Sequence, residues 1–105
     1  LKRKLYHKYF EIFKNFKSIK LFKENDNSRS NYWLQTLILQ EENISLRDKI
    51  LDNNHRNKIK TRPAWKPLHT LKPFKNFPRS PMKNTISLYN RIINLPSSPS
   101  LIYKY

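Results

Sequence analysis

Between Pro63 and Pro81 the chain sets prolines at 63, 67, 73, 78 and 81, and this stretch limits what the rest can fold into. Each proline removes a backbone donor and pushes its predecessor toward extended geometry, so a regular helix cannot run through the segment. Yet Trp65, Leu68, His69, Leu71, Phe74 and Phe77 are interspersed among them. A loop this rich in rings is expected to pack against something, and long structured loops in compact domains are often functional. The regular elements must lie on either side of it.

On the N-terminal side, Leu5, Tyr9, Ile12 or Phe13, and Phe16 recur at helical spacing and predict an amphipathic helix over residues 2–16. Residues 18–22 predict a short half-buried strand, with Ile19 and Leu21 alternating with lysines. After the polar, turn-rich stretch Glu24 to Ser30, residues 31–40 form the best strand in the chain, and the two strands suggest a hairpin with a long loop. Its rings read as packed core. A second helix is expected from Ser45, with Asp48 completing a capping-box-like start, and it should end by Asn57. Ile59 to Thr61 suggests one more strand. Beyond the proline segment, Ser80 is the expected cap of a third helix, Pro81 its first residue, and Met82, Ile86, Tyr89 and Ile93 its apolar face. Ile92 to Leu95 then leads into a rigid Pro96-Ser97-Ser98-Pro99 turn. The expected fold class is α+β: a small antiparallel sheet packed by two or three helices, with a proline-aromatic loop on one side.

With 105 residues there is room for one domain, and 37% hydrophobic content makes its core thin. No apolar run approaches the ~18 residues of a membrane span. The basic N-terminus has aromatic residues and charges where a signal peptide has its apolar centre. With no cysteine, disulfides, a thiolate nucleophile and a Cys-based metal site are excluded, and a cytoplasmic location is expected. The first residue, Leu1, hints at a fragment.

Lys and Arg number 22 against 7 acidic residues, a formal charge of +15. Such a field attracts polyanions, and Tyr32, Trp33, Trp65 and Phe74 are rings that could stack on bases. A competing origin is AT-rich coding, since Lys, Asn and Ile make up about a third of the chain and the lysines are spread from Lys2 to Lys104. That origin is preferred to a dedicated polyanion site. No known nucleic-acid motif is visible.

Catalytic raw material is scarce. Glu41 and Glu42 sit in a turn before the second helix, where solvated charge is their ordinary role. His7 lies among lysines, and His55 near a helix C-terminus reads as a dipole partner. A chain without glycine cannot form a glycine-rich phosphate loop. Ser97 and Ser98 have no histidine near them in sequence.

Several stretches recur in a familiar order: Ser30-Asn31-Tyr32-Trp33-Leu34, a Leu-Ile-Leu strand, and a capped helix. Then follow Thr61-Arg62-Pro63-Ala64-Trp65-Lys66-Pro67-Leu68-His69, Phe77-Pro78-Arg79-Ser80, and Arg91 to Ser98. In this order and spacing the chain resembles the C-terminal domain of the DegT/DnrJ/EryC1/StrS aminotransferases, most nearly the branch acting on nucleotide-linked amino sugars. The resemblance implies a fold-type I enzyme using pyridoxal phosphate (PLP) to move an amino group, usually from glutamate, to a keto-sugar nucleotide in amino-sugar or surface-polysaccharide synthesis. It implies a homodimer, with no nucleic acid or membrane partner. In that family the Schiff-base lysine and the acid facing the pyridine nitrogen lie in a large N-terminal domain. Residues 1–105 are therefore expected to be a single partial domain that binds no PLP and catalyses nothing alone. A basic nucleic-acid-binding module and a regulatory pseudoenzyme pairing with a full-length relative are the alternatives.

The same resemblance implies that His69 contacts the sugar nucleotide while Arg62 and Trp65 shape the pocket. The other readings are a salt-bridge role for Arg62 and a core position for Trp65. Three departures stand out. Where the family has an Asn-Gly-Ile-like stop after the second helix, this chain has Asn57-Lys58-Ile59. Lysine there would cost about 1 kcal/mol if the left-handed conformation is kept. The third helix lacks the family's acidic, alanine-rich start. Relatives also continue into a last helix where this chain has Tyr105. Together the three departures suggest a truncated or decaying gene product, with a split gene as the alternative.

Overall fold

A computed structural model describes residues 1–104. Helix α1 spans Lys2–Phe13, β1 Ile19–Leu21, β2 Gln35–Leu39, α2 Ile44–Arg56, β3 Arg62–Pro63, α3 Lys83–Arg91 and β4 Ile92–Leu95. Single 3-10 turns occur at Leu68–Thr70, Lys72–Phe74 and Pro99–Ile102. The strands form one antiparallel sheet in the order β1-β2-β4-β3. The fold is α+β, as the residue pattern predicted.

The last strand in sequence lies inside the sheet. Ile93 of β4 pairs with Leu37 of β2 on one side and with Pro63 of β3 on the other. The expectation that Ile93 extends the apolar face of α3 is corrected: the backbone turns extended at Ile92, with φ -83° and ψ 133°. Consecutive β-branched side chains at 92 and 93 favour that geometry. The expected strand at 59–61 does not form; the strand, β3, is the two residues that follow, Arg62 and Pro63. Pro63 is tolerated there because β3 is an edge strand, where a missing N–H costs no ladder bond.

Both expected helix starts also move. Asn43 caps α2, its side-chain oxygen accepting the Leu46 N–H at 2.9 Å, which puts Ser45 inside the helix. Asp48 is engaged by the neighbouring Arg47 instead of by the backbone. Helix α3 begins at Lys83 behind Met82, with no side-chain cap from Ser80. Helix α1 stops at Phe13, three residues short of Phe16, which is 56% exposed.

Alternation along β2 sets the core. Gln35, Leu37 and Leu39 face one side and are buried, while Thr36 and Ile38 face the other. Tyr6 from α1, Leu21 from β1, Leu51 from α2 and Ile93 pack with Leu37, Leu39 and Tyr32 in one cluster. Helices α1 and α2 thus cover the same face of the sheet. Gln35 is fully buried and its Nε2 donates to the carbonyls of Lys2 and Tyr32, at 3.2 and 3.1 Å, tying α1 to the start of β2.

The C-terminus of α2 keeps the geometry that glycine would favour. Lys58 has φ 60°, the Lys58 N–H bonds the His55 carbonyl at 3.0 Å, and the Ile59 N–H bonds the Asn54 carbonyl at 2.8 Å. This is the paired bonding of a Schellman stop, with a lysine in the left-handed position. Lys58→Gly is expected to raise stability by about 1 kcal/mol, read as a higher urea midpoint at unchanged slope. A lowered midpoint would contradict the left-handed assignment.

Candidate functional site

The proline-aromatic loop runs from β3 to α3 and is ordered by local bonds. Pro67 is buried, and its carbonyl accepts both the Thr70 N–H at 3.0 Å and the Thr70 hydroxyl at 2.7 Å. Phe74 and Phe77 contact each other, 6.1 Å between ring centroids. At its base, Arg62 pairs with Asn94 across β3 and β4. Asn94 in turn accepts from the Thr36 hydroxyl at 2.8 Å, locking this end of the sheet on the face opposite the core.

The loop does not fold its rings inward. Trp65 is 93% exposed, and Leu68 and Phe77 are each more than half exposed. The core reading of Trp65 therefore fails within this chain. Arg62 forms no ion pair among the described residues, so the salt-bridge reading finds no partner within them. His69 sits in the 3-10 turn Leu68–Thr70 and is half-buried. Arg62 lines a groove between α1 and α2, and neither Trp65 nor His69 reaches that groove. Within these residues the three do not form one pocket. They are spread along a surface whose apolar rings have nothing to cover them.

A second exposed ring adjoins β2. Trp33 is 67% and Leu34 47% exposed, which corrects the expectation that the rings before β2 are all core. The cause is Tyr32, held at φ 49°. The Ser30 hydroxyl oxygen accepts the Tyr32 N–H and the Asn31 side chain accepts the Trp33 N–H, both at 2.9 Å. This double turn drives Tyr32 into the core against Tyr6, 4.0 Å between centroids, and turns Trp33 out. Only 5% exposed, Tyr32 cannot serve as a base-stacking platform.

Charge organises the same corner. The Arg3 guanidinium grips Glu24 with two bonds of 3.0 and 2.7 Å and donates to the Ser30 carbonyl at 2.8 Å. Glu24 also accepts the Ser30 N–H, and the Glu24 N–H donates to the Tyr32 hydroxyl at 3.1 Å. The Arg3 bonds, followed by the Ser30 N–H, hold the Glu24 carboxyl down at about 2. Burial pushes the Tyr6 hydroxyl up to about 12. No expectation singled out Arg3 or Glu24, which are 21 residues apart; the signal was the Ser30 to Leu34 stretch they brace.

A depressed carboxyl fixes the direction of acid sensitivity. The unfolded chain takes up the Glu24 proton near 4.5, whereas the folded chain resists it until about 2. Stability from this group is complete above the unfolded value and is lost as pH falls toward 2. Glu24→Gln is expected to flatten the acid limb of a stability profile between pH 4.5 and 2 and to lower stability at pH 7. An unchanged limb would remove Glu24 from the clamp.

The donor set does not fit PLP. A PLP site needs a lysine for the imine, an acid opposite the ring nitrogen and a phosphate cradle. The groove between α1 and α2, about 830 Å³, is lined by Lys8, Lys58 and Lys60 but by no Asp or Glu. Among the described residues no three His, Cys, Asp or Glu side chains are grouped to hold a metal, and no helix is long and apolar enough to cross a membrane.

Residues 1–104 match the model of the DegT/DnrJ/EryC1/StrS aminotransferase family. The chain is 34% identical over 86 residues to GDP-perosamine synthase from Vibrio cholerae, covering 79% of this chain and 23% of that protein. It superposes on Helicobacter pylori PseC, an aminotransferase involved in the biosynthesis of pseudoaminic acid, with a TM-score of 0.82 at 18% identity, covering 98% of this chain and 29% of that one. The aminotransferase TlmJ from Streptoalloteichus hindustanus gives 0.80 at 14% identity, covering 98% and 28%. The chain thus spans less than a third of each of these proteins.

Proposed function

This chain belongs to the DegT/DnrJ/EryC1/StrS aminotransferase family, and on that premise we propose that it is the substrate-side, C-terminal part of a sugar aminotransferase. The reaction moves an amino group from glutamate to a keto-sugar nucleotide, in a cytoplasmic, homodimeric enzyme of amino-sugar or surface-polysaccharide synthesis. The observation that carries this reading is the match to the family over residues 1–104. The named activity of the Vibrio cholerae relative supports a sugar as substrate. PLP, when bound to the polypeptide that holds it, supplies the carbanion-stabilising chemistry. The groove among the described residues has lysines but no acid to face its ring nitrogen.

What this chain contributes is binding. The Arg62 guanidinium is suited to a phosphate of the nucleotide. Trp65 offers a large flat ring to a sugar or base, and His69 a polar contact to a sugar hydroxyl. Their scatter in the isolated chain is consistent with a pocket completed by the rest of the enzyme.

Reconstitution tests the reading. Mix the chain with a relative's polypeptide trimmed of the matching region, then supply PLP, glutamate and a keto-sugar nucleotide. Amino transfer is expected only in the mixture, and borohydride should fix PLP to no lysine of this chain. His69→Ala is expected to raise KM about tenfold, the worth of one hydrogen bond to a polar ligand. Turnover by the chain alone, or a mixture whose activity ignores this chain, would overturn the proposal.

A further inference from the structure

A second groove, about 440 Å³, opens where the C-terminal half of α1 meets β1. Lys14, Lys17, Lys20 and Lys23 line it, all four exposed, and no Asp or Glu does. Lys14 follows the last turn of α1, Lys17 lies in the connection, Lys20 is on β1 and Lys23 just beyond it. Coding bias sets how many lysines a chain carries, and the fold decides which of them meet. Here a helix end and an edge strand gather four around one hollow. Glu11 pairs with Lys14, and Asp26 reaches Lys23 at 3.9 Å, both acids being exposed. Lys17 and Lys20 enter no ion pair among the described residues.

The rings of this groove have an order that charge does not explain. Tyr32 stacks on Tyr6, 4.0 Å between centroids and 19° between planes, and Tyr6 on Phe10 at 6.3 Å and 29°. The series begins in the core and ends on the groove at Phe10, which is 41% exposed. Phe16 lines the same groove and is 56% exposed. A flat ring laid on Phe10 continues the series in the offset geometry that aromatic pairs prefer. Tyr32, too buried to be a platform itself, thus backs one from the inside.

Cations beside open ring faces select a ligand that carries both phosphates and flat bases. A flat lipid surface meets the rim of a hollow and not the ring inside it. In a duplex the bases cover one another, so only an unpaired base can extend the stack. A free nucleotide brings its phosphate to one point, whereas a strand brings one phosphate per nucleotide to separate lysines. We infer that this groove binds a short single-stranded nucleic acid, with one base on Phe10, another against Phe16 and the phosphates along Lys14, Lys17, Lys20 and Lys23. The likeness to sugar aminotransferases implies no such partner. The inference goes beyond the proposed reaction and stands without it.

A labelled uridylate octamer, titrated with the 105-residue chain and followed by fluorescence anisotropy, tests it. Four phosphate contacts give a slope of about −2.8 for log affinity against log salt, so binding should weaken about fiftyfold over a fourfold rise in salt. Glutamine at Lys14, Lys17, Lys20 and Lys23 together should weaken it at least about tenfold more than glutamine at Lys49, Lys66, Lys72 and Lys83, exposed lysines elsewhere whose loss leaves the same net charge. Phe16→Ala should cost about tenfold, and so should Phe10→Leu, which keeps an apolar side chain against Tyr6. An abasic octamer should bind at least about tenfold more weakly, and uridine monophosphate at equal nucleotide concentration should not displace the strand. Equal losses from the two lysine sets would reduce the effect to bulk charge and overturn the inference. So would an abasic strand that binds as well, or displacement by the mononucleotide. Failure of the octamer to bind would overturn it too, with or without capture of the chain by phosphatidylserine vesicles in its place.

Discussion

Ile93→Ala is expected to destabilise the chain by about 3–4 kcal/mol, within the range for emptying a well-packed aliphatic site. Ile93 is 2% exposed, sits on β4 between β2 and β3, and packs with Leu37, Leu39 and Leu51. Its neighbour Ile92 is only half-buried and points to the opposite face, so Ile92→Ala should cost about 1 kcal/mol. A chain of this length holds on the order of 5–15 kcal/mol in all, so the first substitution removes a large share of it. Urea unfolding at pH 7 reads both values. The comparison also separates two structures. If residues 92–95 merely extended α3, position 93 would lie on a helix face beside Tyr89 and Ile86, itself 42% exposed. Both substitutions would then cost alike.

That contrast shows what the sequence could and could not reveal about the fold. Helices α1 and α2 and strands β1 and β2 were legible because each carries its own periodicity: Leu5 and Tyr9, Ile50 and Leu51, Ile19 and Leu21, Leu37 and Leu39. Strand β4 was not, because Ile93 falls at helical spacing from Tyr89 and Ile86 as well as in a β-branched run. Local pattern leaves those two periods tied, and only pairing with Leu37 breaks the tie. The cap of α2 failed for a similar reason. Asn43 and Ser45 are both good caps, and the choice depends on where the chain leaves β2. The left-handed stop at Lys58 was implied only by the family's glycine at that place. The local pattern pointed to Asn57 as the end of α2, since asparagine accepts that backbone more readily than lysine.

The candidate site was less legible. Arg62, Trp65 and His69 stand out by residue type and by their place in the Arg62 to His69 stretch. Whether a ring on that stretch lies in the core or on the surface is a tertiary property. Trp33 misled for a definite physical cause: the left-handed turn at Tyr32 reverses which of two adjacent rings faces inward. Serine, asparagine and tyrosine in succession permit that turn without announcing it. The groove between α1 and α2 has no sequence signature at all, being the difference between the width of a sheet and the helices laid on it.

Arg47→Ala is expected to cost about 3 kcal/mol, and the reason lies in what its guanidinium joins. Helix α3 ends at Arg91, which leaves its last carbonyls without intrahelical partners. Arg47 Nη1 reaches across from α2 to the Tyr89 carbonyl at 2.6 Å, with the guanidinium 4.9 Å from the centre of the Tyr89 ring. A cation at a helix C-terminus is favourable in itself, and a hydrogen bond from a charged group is worth about 1.5–3 kcal/mol. The side chain is 5% exposed, so its aliphatic stem is buried as well. Asp48 forks onto Nε and Nη2 at 3.0 and 2.8 Å and neutralises the buried charge while staying 55% exposed itself. Asp48→Ala alone should therefore also destabilise, by about 2 kcal/mol, because it strands a desolvated guanidinium. Once Arg47 is gone Asp48 has nothing left to neutralise. The double variant should then unfold within about 0.5 kcal/mol of Arg47→Ala, a coupling that a cycle of urea titrations measures. Additive losses would mean that Asp48 supports α2 by another route, and that Arg47 is not the peg between α2 and α3.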